Sequence, residues 1–497
     1  MVNSFEINKI GKYQKAKILK DVKRFRFEKA LAKVSRYAQM YYWAPMQYSD
    51  EVIEAAMSEL AVEKRRSSAS IKMSQETQAS VLLVDSFGYH SRGLVPQYLD
   101  ALAKIFATVQ YLYTGSAPCD PNLITFIRAN ERIEFAWVPC SNKKSEFDRL
   151  NNYVRSRAFS AAFFHIAPWS VIEVILAARL DKITYLIDIT DHSFWLGAKI
   201  FDHYIGFREY GRLVAMEKRG IPKERYSILQ FYPVDEIKNH RGLPAEVTAK
   251  TKIMTGGAEY KLFGGDGKLL RLLGQIVAEH PDCAVCILGD LPEPKIRKAM
   301  GVSSDESRVV FLGFRDDVKS VIAEADIFVP TYPWGGGLLT EYAIINCVPV
   351  VALEDPLLPF GSMRGLLLRP DESNVSFDNE ADFMSQLRRL CVSVECRNEA
   401  GRALRNQLPT PDCFTKNLKK IIVQDGVICG VGQPQLSIDY DAVENLYLDL
   451  ECGKFGGRLT VSIFRMGGVA ALIRHPVYTY RALLLALRLV IKNFLRK

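Results

Sequence analysis

The sequence is poor in several features that would each fix a function class. Its ten cysteines follow no framework spacing, which excludes a small disulfide scaffold. Cys283 and Cys286 form a C-x-x-C inside the apolar run 283–289. Strand alternation puts those two thiols on opposite faces, so a redox pair or zinc knuckle is excluded and buried thiols are expected. No cluster of His, Cys, Asp and Glu has metal-ligand spacing, and no G-x-G-x-x-G is present, so neither a metal centre nor a dinucleotide fingerprint is expected. Near the C-terminus the longest apolar run is 482–487, far short of the ~20 residues that span a bilayer. The first residues lack the apolar core of a secretory signal, and a reducing cytosol is the expected compartment.

Acid is missing where base is abundant. Residues 1–36 hold 11 Lys/Arg against 3 Asp/Glu, and residues 452–497 hold 9 against none. The stretch between holds 45 basic and 53 acidic residues. The net charge of +9 therefore belongs to two basic ends on an acidic body. Such ends suit anionic partners. Arg474, Arg481, Arg488 and Lys492 fall on one helical face, and Leu483, Leu484, Leu487, Val490, Ile491, Phe494 and Leu495 fill much of the rest. That pattern fits a helix lying in an anionic membrane interface through residues 474–497, or one burying its Leu face on the body. No basic–aromatic interleaving marks a nucleic-acid groove, so nucleic acid is not an expected partner.

What is present is regular. Residues 7–38 read as one long Lys-rich helix, and 49–64 as a second, capped by Ser49. The Ser- and Arg-rich stretch 65–80 reads as a linker. From residue 81, short apolar runs alternate with helical patterns: strands near 81–84, 109–113, 135–138, 161–166, 183–189 and 204–207. After a polar stretch at 234–250 the alternation restarts, with strands near 252–255, 284–288, 309–312, 327–330 and 348–353. This predicts βαβ units and two doubly wound α/β halves. The expected organisation is a basic helical extension and linker (1–79), two Rossmann-like domains (80–240 and 241–425), and a C-terminal extension (426–497). Ligands in such sheets bind beyond the carboxyl ends of the strands, so facing halves make a cleft for two bound molecules.

Two segments carry chemistry on their own. After the strand ending at Pro330, Gly335, Gly336 and Gly337 precede a helix. Glycines allow close backbone approach, and a helix N-terminus offers free N–H groups, a cradle for pyrophosphate. Glu341, one turn into that helix, is placed to reach a ribose hydroxyl pair; a glycine-rich turn with a surface Glu is the plainer alternative. The second is Asp191-His192, just past the strand at 183–189. A His there suits proton transfer or binding of a phosphate or sugar hydroxyl; a capping Asp beside a structural His is the alternative.

The run Val309-Val-Phe-Leu-Gly-Phe-Arg-Asp-Asp-Val318, then 323–330, Gly335-Gly336-Gly337 and Val348-Pro-Val-Val351 resembles, in order and spacing, the C-terminal half of glycosyltransferases of the GT-B fold, especially retaining nucleotide-sugar enzymes. Residues 188–211 resemble bacterial polysaccharide-type members. The resemblance is good over about 305–355 and looser over 80–425. It implies two Rossmann-like domains across a cleft and transfer of a sugar from a nucleotide-diphospho-sugar to a saccharide or lipid-linked acceptor. It needs no cofactor, because helix dipole and basic side chains replace the metal. It puts the donor diphosphate at Gly335–Gly337, Gly257 and Lys261, His192 and Asp191 on the opposite wall, and the acceptor by Gly88, His90 and Arg92; Arg315 is a further cleft candidate. The chain departs from the family pattern in having Pro333 eight positions before Glu341, where an acid is usual, and in a register that puts Tyr342 at the second acid. A cytoplasmic enzyme, peripheral on a membrane face, is the expectation. A nucleotide-sugar epimerase, a non-catalytic sugar-binding relative and a nucleic-acid-associated protein stand as alternatives.

Overall fold

The computed structural model describes residues 4–60, 80–90, 94–141, 143–234, 240–368, 374–424 and 436–453, with Pro476, Tyr480, Leu483, Leu484 and Leu487. Two parallel sheets form its frame. The first runs β1 (Ser80–Asp85), β2 (Thr108–Tyr113), β3 (Ile133–Trp137), β4 (Ala161–His165), β5 (Ile183–Ile187), β6 (His203–Gly206) and β7 (Tyr226–Ile228), in the spatial order β3-β2-β1-β4-β5-β6-β7. The second contains β8 (Thr251–Gly256), β9 (Cys283–Leu288), β10 (Val309–Gly313) and β11 (Ile327–Phe328), ordered β10-β9-β8-β11. Phe328 bridges to Val350, just before β12 (Ala352–Leu353), which pairs with β13 (Ser376–Phe377). Both halves therefore follow the doubly wound order, with the strand direction of travel reversing between the first and fourth strands of each.

The central strands are mostly apolar because both their faces are covered, whereas the edge strand β3 is largely exposed. In β1, Leu82 and Val84 enter one core, while Val81 and Leu83 enter the other with Tyr111, Phe163 and Tyr185. Strand β9 divides in the same way. Cys283 faces one core and Cys286 the other, both buried, as the alternation predicted. The helix Pro411–Gln424 returns to the first half, where Phe414 meets Tyr98 edge-on at 5.3 Å.

The N-terminal region differs from its sequence reading. The expected single helix is two, Ser4–Lys23 and Phe27–Trp43, broken at Phe25, whose φ is +50°. Breaking the helix lets both pieces bury an apolar side. Ile7, Ile10, Ile18, Val22, Leu31 and Val34 all join the core beneath the first sheet, each contributing about 1.5–3 kcal/mol. The third helix is Glu51–Leu60, and its cap is Asp50, which accepts from the Val52 and Ile53 amides, rather than Ser49. Among the described residues, no helix is long and apolar enough to cross a membrane.

Candidate active site

The carboxyl ends of both sheets face one cleft. On the second half, a cavity of about 550 Å³ opens beyond β8, β9 and β10, lined by Gly257, Gly289, Gly313, Leu338, Leu339 and Tyr342. Gly257 has φ +154°, a conformation that L side chains rarely adopt, and this lets the backbone turn at the cavity wall. The helix Gly337–Ile345 begins at the same place, and its first-turn N–H groups have no intrahelical partner. At Gly335 an added Cβ would stand 2.3 Å from Met363 Cε, the free end of that side chain, and 3.1 Å from the Gly361 carbonyl oxygen. At Gly336 an added Cβ would meet only Leu339 Cδ1, at an ordinary 4.0 Å.

Lys261 lies across the same switch point, in the short helix Glu259–Leu262 after β8. Its Nζ sits 5.5 Å over the Trp334 ring. Burial lowers its ammonium to about 8, with no acid beside it to offset the loss of water. Tyr342 lines the cavity, while Glu341, one residue earlier, turns into the protein. Glu341 is 1% exposed, its Oε2 has no hydrogen-bond partner, and burial raises its carboxyl well above the usual range. Arg315 does not offer a free cation to the cleft: its guanidinium holds Asp317 through two bonds of 2.6 Å.

The opposite wall is the loop after β5. Asp191 is buried and receives Arg208 Nε at 2.6 Å and Nη2 at 2.9 Å. Burial pushes its carboxyl up, but the guanidinium more than offsets this and holds it below the usual range. His192 Nδ1 is 3.5 Å from Asp191, at the limit of a hydrogen bond. Its ring is surrounded by Trp334, Phe360 and Tyr447 at 5.9, 6.4 and 6.0 Å, with Tyr42 at 6.3 Å. His192 thus touches the loop before the Gly337–Ile345 helix, through Trp334, and both terminal regions, through Tyr42 and Tyr447.

The N-terminal helices fix this loop. Glu54, wholly buried, accepts from the amides of Gly197, Ala198 and Lys199 at 3.0, 3.1 and 2.8 Å. Ser193 donates to the Tyr42 carbonyl. Sequence reading treated these helices as an appendage. The signal available was Glu54 itself, an acid on the apolar side of a short helix.

The acceptor-side candidates sit at the end of β1. The Gly88 amide donates to Asp85 at 2.7 Å, and His90 is buried with its ring 6.0 Å from Phe126. Arg92 lies outside the described residues. Beside them is a pair the sequence reading missed. His165, the last residue of β4, has Nδ1 2.8 Å from Asp85 Oδ1, and both side chains are buried. A His closing an otherwise apolar strand was the signal.

No family model matches the chain, and no curated protein matches it by sequence. Its structure does find neighbours. The chain aligns with a mutant of the Thermobaculum terrenum O-GlcNAc transferase at a TM-score of 0.51 and 14% identity, over 84% of each chain. The fold is GT-B. Anabaena Alr3699/HepE, solved with UDP and glucose, aligns at 0.48 and 13% identity over 70% of this chain and all 100% of that one. A provisional UDP-N-acetylglucosamine 2-epimerase from Listeria monocytogenes aligns at 0.49 and 11% identity, over 69% and 96%. In GT-B terms, the second sheet and its 550 Å³ cavity are the C-terminal half, and the loops carrying His192 and Asp85 belong to the N-terminal half.

Proposed function

We propose that the chain is a glycosyltransferase that moves a sugar from a nucleotide-diphospho-sugar to a saccharide or lipid-linked saccharide. The observation that carries this reading is the pairing, across one switch point, of the cavity at Gly257 and Tyr342 with Lys261 and the Gly337–Ile345 helix N-terminus. The cavity is of a size for a nucleoside. Next to it stand an ammonium without an acid partner and free helix N–H groups, the chemistry that holds a diphosphate. As the glycosidic bond to the leaving group breaks, negative charge grows on the diphosphate. Lys261 and the backbone N–H groups of Gly336 and Gly337 would stabilise that charge. Glu341 would meet the ribose only if its buried carboxyl turns outward. His192, Asp191, Gly88, His90 and Arg92 belong to the facing, acceptor-side wall.

The C-terminal residues support an acceptor at a membrane surface. Tyr480, Leu483, Leu484 and Leu487 are helical and exposed, at spacings that share one face. The basic residues Arg474, Arg481, Arg488 and Lys492 lie outside the described residues. Truncation after residue 451 is expected to abolish binding to phosphatidylglycerol vesicles; unchanged binding would contradict a membrane-facing role.

Nucleoside diphosphate release tests the transferase reading. It should require a nucleotide sugar and an acceptor together. Turnover of the nucleotide sugar without release, by epimerisation of its sugar, would overturn it.

A further inference from the structure

The Asp85–His165 pair occupies the switch point of the first sheet, where β1 and β4 lie side by side with Asp85 and His165 in register. Four donors converge on the Asp85 carboxylate. The Phe87 amide and His165 Nδ1 reach Oδ1 at 3.0 and 2.8 Å; the Gly88 amide and Tyr111 hydroxyl reach Oδ2 at 2.7 and 2.6 Å. With Asp85 accepting from all four, Nδ1 is the donor, so the imidazole proton sits on Nδ1 and the lone pair on Nε2. Nε2 is buried and has no hydrogen-bond partner. A strut would need only the Nδ1 contact. Here a carboxylate fixes the tautomer and leaves the other nitrogen aimed at nothing, under the half-buried ring of Phe87 at 5.2 Å. The better-placed sequence candidate compares poorly: His192 is 3.5 Å from an Asp191 already committed to Arg208.

We infer that His165 is the base that activates the acceptor hydroxyl, with Asp85 as its positioning residue and Phe87 as the side chain that swings aside to admit the acceptor. This rests on the transferase reading above. In the step, the acceptor O–H proton passes to Nε2 while the oxygen bonds to the anomeric carbon. The bond from that carbon to the diphosphate oxygen breaks, and its electron pair leaves with the nucleoside diphosphate. With His165 taking its proton, the acceptor oxygen attacks the anomeric carbon on the face opposite the departing diphosphate, a single displacement that inverts the anomeric configuration. His165 then returns its proton to solvent.

The test uses the full chain and two probes. Diethyl pyrocarbonate acylates imidazole nitrogens carrying a lone pair, and peptide mass spectrometry reads each of the seven histidines. His165 should react within about tenfold of the half-exposed His240, and several-fold faster in Phe87→Ala; reaction only in step with urea unfolding would overturn the inference. UDP-glucose and UDP-N-acetylglucosamine are the donor probes. With a donor that turns over, His165→Gln should lower transfer about 10²–10⁴-fold, with nucleoside diphosphate affinity unchanged and the product inverted. Asp85→Asn should lower kcat without raising KM and slow acylation of His165. Retained configuration, or full turnover in His165→Gln, would overturn it. If neither probe turns over, the acylation rates decide. Absence of nucleoside diphosphate binding beside a reactive His165 would count against the donor reading and leave the base standing.

Discussion

Arg208 binds Asp191 within the first half and, through Nη1, donates to the Phe360 carbonyl of the second at 2.5 Å. One buried guanidinium therefore satisfies the aspartate behind His192 and joins the two sides of the cleft. Gln230 adds a second link, donating to the Leu367 carbonyl at 2.6 Å.

Removing Arg208 strands a buried carboxylate. Arg208→Met should destabilise the chain by about 3–5 kcal/mol in urea unfolding, and Asp191→Asn in the same background should recover part of it. Asp191 is held below the usual carboxylate range. Its contribution is therefore present above that range and is lost as pH falls below it. The deficit of Arg208→Met should shrink in acid.

Lys261 should make donor binding depend on pH. In the free protein its ammonium is lowered to about 8, and a bound diphosphate raises it again. Affinity for a nucleoside diphosphate should be full below pH 8 and fall by up to tenfold per unit above it. Calorimetry at pH 7 and 9 reads this, and Lys261→Met should bind weakly with no such slope.

The glycines before the Gly337–Ile345 helix should separate by role. Gly335→Ala forces a contact with Met363 and should lower stability by about 1–3 kcal/mol. Gly336→Ala meets only Leu339 Cδ1, at an ordinary 4.0 Å. It should leave the unfolding midpoint within about 0.5 kcal/mol while weakening nucleoside diphosphate binding about tenfold.

Glu341 should cost stability as pH rises. Burial keeps its carboxyl protonated in the folded chain, so its contribution is present below the ordinary carboxylate range and is lost above it. Glu341→Gln should match the wild type near pH 4 and exceed it at pH 8 by about 1 kcal/mol or more. If the carboxylate turns outward to hold ribose, the same variant will also bind nucleoside diphosphates less well.

The sheets were legible because parallel strands are apolar on both faces. The runs at 81–84, 109–113 and 284–288 match β1, β2 and β9 within two residues at each end. The helix starting at Gly337 was equally plain, marked by three glycines. The break at Phe25 was not, since nothing in Lys23-Arg24-Phe25-Arg26 announces a left-handed residue; packing of two helices against one core selects it. Function was harder to read where it depends on pairs distant in sequence. Asp191 and His192 are adjacent in the chain and drew notice, yet Arg208 and an aromatic cage share them. Asp85 and His165 are 80 residues apart, and only the sheet register brings them together. Glu54 stands on the apolar side of its helix, but nothing in the sequence says that the amides of 197–199 close on it.

Thermal unfolding of the wild type and Lys261→Met across a panel of nucleoside diphosphates tests the central claim most directly. The account predicts that one base stands out, raising wild-type stability by about 2.7 kcal/mol at a hundred times its Kd, with a much smaller gain for Lys261→Met. No shift with any nucleoside diphosphate, or equal shifts in both proteins, would contradict it.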